Sequence, residues 1–396
     1  TAYKDSGVEW LGEVPEHWDE YSLRWCVEEI NTNVEADDML YIGLEHIESW
    51  TGKVHSVDQV SEVISGKHFL PGDVLFGRLR PYLAKGLVAD EEGICSGELL
   101  VLRPNGMNRF YLHFVLLSPG FVGCVDSSTY GARMPRASWE FIRKIVIPVP
   151  SIGEQERIAS FIEVQTCGID TLISKKQRQL ELLEEKRTAL ITHAVTKGLD
   201  SNVKMKDSGV EWLGKVPEHW RVCKLKQVTS KIGSGRTPRG GSTVYVTSGI
   251  MLLRSQNIHF DGLRLEDVVY ITEEMNADMI DTAVYPYDTL LNITGASLGR
   301  CAMVPPSIGR ANVNQHVCII RPLVQQCNPS FMAFMTSSRV IQYQVFASEE
   351  GTSREGISFE KIGNFKIALP PLDEQVEIAS YLNEQTSRID ALRDKI

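Results

Sequence analysis

The side chains of this chain that could do chemistry are cations, amides and hydroxyls gathered on short stretches bounded by glycine and proline. In the first half they are Arg78, Arg80, Tyr82 and Lys85 of FGRLRPYLAK, and Tyr130, Arg133 and Arg136 of STYGARMPRAS. In the second half they are Ser234, Arg236, Thr237 and Arg239 of GSGRTPR, and Arg254, Gln256 and Asn257 of LLRSQNI. Asn314 and Gln315 beside His316, and Thr352, Ser353 and Arg354 of EGTSREGIS, complete the set. Arginine and lysine can reach guanine edges, asparagine and glutamine adenine edges, and all of them can hold phosphate. A single arginine is as readily a surface ion pair. The clusters, flanked by glycines that let backbone amides come close to an anion, are what favour nucleic-acid contact. His316 by itself reads as a packed or hydrogen-bonded core histidine.

Bond-making groups are missing from the pattern. Gly295 to Arg300, GASLGR, lacks the lysine and the spacing of a phosphate-binding loop, and no HExxH or dinucleotide fingerprint occurs. Neither an Asn-Pro-Pro-aromatic methyltransferase loop nor a glycine-rich cofactor motif is present. The carboxylates of LEHIESW and YDT are acids of the kind common on loops. The eight cysteines form no CxxC pair and no ligand spacing with the nine histidines, so they read as reduced thiols and argue against structural zinc. No catalytic residue and no metal ligand is expected. The chain reads as a non-catalytic binder.

Its net charge of −10 argues against a uniformly cationic nucleic-acid surface. The charge is uneven, however. Residues 1–66 hold 15 acids and 3 bases, whereas residues 221–265 hold 8 bases and a single acid, Asp261, which leaves room for a local basic face. With 396 residues, 43% of them apolar, the chain can build two or three domains. No apolar run approaches the roughly 18 residues of a membrane span, and TAYKDSGVEW is no signal peptide, so a cytoplasmic chain is expected.

The elements that must position the loops are set by an internal repeat. KDSGVEWLGEVPEHW (4–18) returns as KDSGVEWLGKVPEHW (206–220) with one change, Glu13 to Lys215. Each copy of this Trp-rich anchor precedes a module of short strands and turns, and each module leads into a helix. The first helix, from Ser151 to Gly198, starts on a capping-box pattern, Ser151 with Glu154, and at about 1.5 Å per residue is roughly 70 Å long. Its first part, Glu154 to Leu172, recurs as Glu374 to Leu392. The spacing of Ile158, Ile162, Ile169 and Leu172, and of Ile378, Leu382, Ile389 and Leu392, predicts helix–helix packing between the two copies. For a local two-fold axis the helices must run antiparallel, with the Ile158 and Ile378 stripes facing each other. The second copy reaches Ile396, which matches Lys176, so its rod is shorter by about 20 residues.

The expected class is therefore α+β, a pseudo-two-fold repeat of two β-rich modules joined by two long antiparallel helices. The expected divisions are an anchor (1–20), a first module (21–150), a long spacer helix (151–199), a second anchor (200–220), a second module (221–369) and a short helix (370–396). Strands are expected in MLYIGLEHI, GDVLFGRL, LLVLRP and KIVIPVP, with their counterparts in the second module, and helices at Phe110–Leu117 and Ser330–Phe346. Leu102-Arg103-Pro104 matches Ile320-Arg321-Pro322, while most other polar residues differ between the modules. Such copies are suited to presenting two different reading surfaces on one frame. Two such modules can meet one duplex one or two turns apart, a turn being about 34 Å.

The anchor, the runs LPGDVLFGRLRPYLAKG and SGELLVLRP, the runs GSGRTP, LLRSQNI, NITGASLGR and NQHVCIIRP, and the helix ends PPLDEQ and EKRTALITHAVTKGLD together resemble the specificity subunit of type I restriction-modification enzymes. The resemblance covers the whole chain. It implies two target-recognition domains, each reading one half of a bipartite DNA site, with helices that measure the unread spacer. It further implies docking of two modification (methyltransferase) subunits, to which restriction (translocase/endonuclease) subunits add. S-adenosylmethionine, ATP and Mg²⁺ would then belong to those partners and none to this chain. A competing reading is a protein-binding scaffold with two adaptor modules that never touches nucleic acid, and a third is a self-contained nuclease.

Overall fold

The computed structural model describes residues 2–36, 39–55, 64–131, 133–349 and 356–396. The chain forms two compact units, Thr1–Ile173 and Ser174–Ile396.

In the first unit the anchor is a hairpin of Tyr3–Asp5 against Glu13–Pro15, and Trp10 of its loop meets Phe121 edge-on at 5.9 Å. The anchor thus packs on a helix, Pro119–Ser127. The module has two four-stranded sheets. One is antiparallel, in the order Val27–Ile30, Leu99–Pro104, Val74–Gly77, Gly86–Val88. Its LLVLRP strand is apolar on both faces because both are covered, which is how a short unbroken apolar run reads. The other sheet runs Asn33–Ala36, Ile64–Phe69, Gly93–Cys95, Leu40–Ile42, with its last pair parallel. Asp19–Ser22 pairs with Val146–Val149 and closes the module where it enters the long helix.

The second unit repeats this plan. Its anchor hairpin is Met205–Asp207 against Lys215–Pro217, and Trp212 stacks on Tyr343 at 5.6 Å. One sheet runs Thr229–Ser234, Val317–Pro322, Thr289–Asn292, Cys301–Met303. The other runs Val269–Ile271, Ile250–Leu253, Ala311–Val313, Ala283–Val284. The three strands around Gly93–Cys95 and around Ala311–Val313 correspond, including the parallel pair. The fourth strand is added at opposite edges: Asn33–Ala36 pairs with Ile64–Phe69, and Val269–Ile271 pairs with Ile250–Leu253. Of the expected helices, Phe110–Leu117 forms as Arg109–Leu116. The stretch expected as one helix from Ser330 to Phe346 is two, Pro329–Ser337 and Arg339–Glu349. Ser338 breaks it: its backbone is extended and its buried hydroxyl donates to the Met335 carbonyl at 2.6 Å.

Each long helix is clasped to the module before it by the same two contacts. In the first unit Gln155, buried at the start of Ile152–Lys197, accepts from the Asn108 N–H at 2.9 Å and donates to the Pro150 carbonyl at 2.8 Å. In the second, Gln375 of Leu372–Lys395 accepts from the Asn328 N–H at 2.8 Å and donates to the Pro370 carbonyl at 2.9 Å. Asn108 and Asn328 in turn cap the helices at Arg109 and Pro329 through their side chains. His17 meets Glu154 at 2.9 Å, and His219 meets Glu374 at 2.8 Å.

The helix packing departs from the expected one. Ile378, Leu382 and Ile389 are buried, and Ile378 and Leu382 share an apolar cluster with Ile191, Ala194 and Val195, from the second half of the central helix. Ile158 instead packs on the core of the first module, Ile162 is half-buried, and Ile169, Leu172 and Leu392 are exposed. The reason is register. Arg187 pairs with Asp390, and Gly198 lies beside Glu374, so Leu372–Lys395 runs antiparallel to residues 174–197 and covers that half of the rod.

Candidate nucleic-acid interface

In the first module two loops are laced into one surface. Leu79 and Arg136 form a bridge, the Arg80 N–H donates to the Pro135 carbonyl at 2.8 Å, and the Ala137 N–H donates to the Arg78 carbonyl at 2.9 Å. The second loop closes on itself, Tyr130 and Arg136 exchanging both backbone bonds at 3.1 Å. Arg78, Arg80, Tyr82, Tyr130, Arg133 and Arg136 are thereby brought together, and Arg80, Tyr82, Tyr130 and Arg133 are exposed. Lys85 is turned away, its amine bonded to the Leu44 carbonyl at 2.7 Å. Arg80 has φ of 49°, a left-handed backbone rare outside glycine, and in the sequence register of GDVLFGRLRP on YDTLLNITGA its counterpart is Gly295, with φ of 72°.

Glu98, an acid that the sequence reading passed over, holds this surface. Its carboxylate accepts from Arg136 Nε at 3.1 Å and Nη2 at 2.8 Å, and Arg78 Nε lies 3.7 Å away. The hydrogen bonds from Arg136 hold it below the usual carboxylate range. Buried Lys67 stands close by, donating to the Leu99 carbonyl at 3.1 Å. Burial, then the charge of Arg78, pulls its amine below the ordinary lysine value.

In the second module three loops meet through backbone bonds. The Arg236 N–H donates to the Val313 carbonyl and the Asn314 N–H to the Leu253 carbonyl, both at 3.1 Å. The approach at Gly235 is so close that a Cβ there would sit 1.6 Å from the Val313 carbonyl oxygen, so the GSGRTP glycine is a steric necessity. The Thr237 hydroxyl donates to Gln315, whose amide nitrogen is 3.2 Å from His316 Nε2. His316 Nδ1 is 2.7 Å from the Thr294 hydroxyl, so this histidine is hydrogen-bonded as expected. Arg236 reaches Asp281 at 3.5 Å, and Arg239 and Gln256 are exposed. Ser234 closes a strand, its hydroxyl on the Gly235 carbonyl, and Arg254 Nη2 donates to the Asp267 carbonyl at 2.9 Å.

Two of the candidate reading residues serve the fold instead. Asn257 is buried, accepts from the Arg254 N–H and donates to the Arg264 carbonyl, both at 2.9 Å. Asn314 is buried and its side chain accepts from the His316 N–H at 3.1 Å. Thr352, Ser353 and Arg354 lie outside the described residues. Of the acids in YDT, Asp288 is buried and paired with Arg321 at 2.7 Å, as Asp73 is with Arg103 at 2.8 Å, so both serve as strand-end braces. Among the described residues no three His, Cys, Asp or Glu side chains are grouped to hold a metal, and no single helix is long and apolar enough to cross a membrane.

Known proteins share this plan. Residues 217–396 match the profile of the type I restriction modification DNA specificity domain. The chain is 24% identical over 394 residues to the putative type I restriction enzyme MjaX specificity subunit of Methanocaldococcus jannaschii, covering 94% of this chain and 87% of that protein. It is 24% identical over 309 residues to the MjaVIII specificity subunit of the same organism, covering 76% of this chain and 70% of the relative. Identity to the EcoBI specificity subunit of Escherichia coli is 23% over 295 residues, 73% of this chain and 60% of that protein. Among solved structures, a chain from a study of complex assembly and conformational transition of the type I R-M system gives a TM-score of 0.72 at 18% identity, covering 96% of this chain and 93% of that one. The HsdS subunit from Thermoanaerobacter tengcongensis gives 0.56 at 18% identity over 96% and 92%. The first module, outside the matched profile, has the same clasp and the same central strand pairings as the module within it. Residues 217–396 thus carry the DNA specificity domain of type I restriction-modification systems, and over nearly its whole length the chain is similar to specificity subunits of type I restriction enzymes.

Proposed function

We propose that this chain is the DNA sequence-recognition subunit of a type I restriction-modification complex and does no chemistry of its own. Each module reads one half of a bipartite site, and the helices that carry the modules set the length of the unread spacer. The observation that carries this reading is the contrast between frame and loops. The anchor and the clasp glutamines and asparagines repeat and the central strands keep their order and pairing, while the loops differ in what they present, Arg78 and Arg136 held by Glu98 on one module and Arg236, Thr237 and Gln315 on the other. A frame conserved within one chain around divergent contact loops is what reading two different words demands.

Partner subunits complete the function. Two modification subunits dock on the helices and supply S-adenosylmethionine chemistry, and restriction subunits supply ATP- and Mg²⁺-dependent translocation and cleavage, which places the chain in the cytoplasm with the DNA. The overall acidity fits this division, since phosphate neutralisation is then shared with the partners. The relatives give no support to a non-catalytic protein scaffold. Methylome sequencing of a host carrying the chain with its modification subunit is the test, and a split recognition word is the expected result. A purified complex that bound random duplex as tightly as any sequence at moderate salt would end the reading.

A further inference from the structure

Resting on that DNA-reading function, we propose that Glu98 is a positioning residue that aims Arg136 at a guanine, and that module one's half-site therefore contains a guanine read through this pair. The argument begins with charge. Two arginines, Arg136 and Arg78, meet one carboxylate that is three-quarters buried, and Lys67 stands close by, under the charge of Glu29 as well as Glu98. A pair that served only to brace the fold would need one cation. Crowding two arginines onto a single acid in a partly dry site is costly unless an acceptor-rich ligand arrives to share them.

Geometry then distinguishes the ligand. Arg136 meets Glu98 side-on, through Nε and Nη2, which leaves the Nη1 edge and the outer hydrogen of Nη2 for a second acceptor pair. Its main chain is clamped on both sides, to Leu79 and to Tyr130. The guanidinium plane is therefore fixed before any ligand binds. A phosphate can take the fork too, but it accepts from many directions, so a fixed plane does little to select it. Guanine presents O6 and N7 side by side in the base plane, the pattern an arginine fork matches.

The repeat supplies a comparison. Ser96-Gly97-Glu98 precedes Leu99–Pro104 as Asn314-Gln315-His316 precedes Val317–Pro322, so Glu98 and His316 occupy equivalent places. His316 is bonded to Thr294 and Gln315, and among the described residues no arginine is hydrogen-bonded to it. One position in the frame thus orients arginines in one module and an amide and a hydroxyl in the other, which makes it specificity-determining.

The experiment is methylome sequencing of a host carrying the chain and its modification subunit, with the wild type, Glu98→Gln and Arg136→Lys. In the wild type a split word with a guanine in one half is expected. Arg136→Lys keeps the charge and cannot fork, and Glu98→Gln loosens the fork. Both should relax that guanine, with about five- to hundredfold less discrimination against other bases, and leave the other half-site intact. The intact half reports that the variant still folds and assembles. The proposal is overturned if Arg136→Lys leaves the word unchanged, if the relaxed position is not a guanine, or if methylation falls uniformly at an unaltered word, as loss of a phosphate contact would produce. A wild type with no split word would instead sink the DNA-reading function itself.

Discussion

Arg187 Nη1 lies 2.6 Å from Asp390 Oδ1, joining the second half of the central helix to the terminal helix, and the arginine side chain is only 11% exposed. Removing it leaves a half-covered carboxylate and an unfilled stem. Arg187→Ala is expected to cost about 1–2 kcal/mol, discounted for the exposure of Asp390, and Asp390→Asn less. Urea unfolding of both variants and their double mutant reads the coupling. A cost below about 0.3 kcal/mol would mean that the apolar stripe alone holds the pair.

The clasps give a second prediction. Gln155→Ala strands the Asn108 N–H and the Pro150 carbonyl, and Gln375→Ala strands the Asn328 N–H and the carbonyls of Pro370 and Gln326. Each should lose about 1–3 kcal/mol, the second more than the first, because it leaves one more group without a partner. Limited proteolysis should open the first unit in one variant and the second unit in the other. Cleavage in the same places for both variants would contradict this.

A third concerns acid. His113 is buried and its Nδ1 has no partner, and burial pushes its pKa from 6.5 down to about 4. The unfolded chain then binds more protons between those values, so stability falls as pH drops through 6.5 towards 4, by on the order of 3 kcal/mol. Glu98, whose value is lowered from 4.5, adds its loss only below that pH. Urea midpoints at pH 7 and pH 5 should differ for the wild type and converge for His113→Leu.

Thiol reactivity is a fourth. Burial pushes the Cys318, Cys327 and Cys95 thiols up to about 12, whereas Cys167 is exposed on the central helix. In the native chain an alkylating reagent should modify Cys167 first at pH 8, and Cys167→Ser should abolish the fast phase seen by intact mass.

Charge reversal at the exposed Arg236 and Arg239 separates reading from scaffolding. The double variant should lose recognition at module two's half-site while still co-purifying with the modification subunit. Retained recognition of both halves would remove these arginines from the contact surface.

The rod and the repeat were legible because they are local signals. Apolar spacing and a fifteen-residue anchor copied at 206–220 need no knowledge of tertiary contacts. Where the reading failed, long-range packing decided. The stretch from Ser330 to Phe346 breaks at Ser338, where the Arg339 N–H that opens the second helix is taken by the Thr192 hydroxyl of the central helix at 3.1 Å. Ile169 and Ile389 occupy matching places in identical patterns, yet one is 58% exposed and the other 6%, because only the second meets the Ser174–Lys197 half of the rod. Asn257 and Asn314 looked like base readers since amides on loops can be either readers or braces, and nothing local tells which. Glu98 was hidden for the opposite reason: its value lies in Arg78 and Arg136, which only the fold brings to it.

Gln155 and Gln375 seize main-chain groups alone, so their grip is indifferent to the vocabulary a module displays. A cassette with other loops, spliced in between the anchor and the rod, would meet the same amide hooks and seat itself without adjustment elsewhere. Recombination could therefore rewrite one word of the message and leave the grammar untouched.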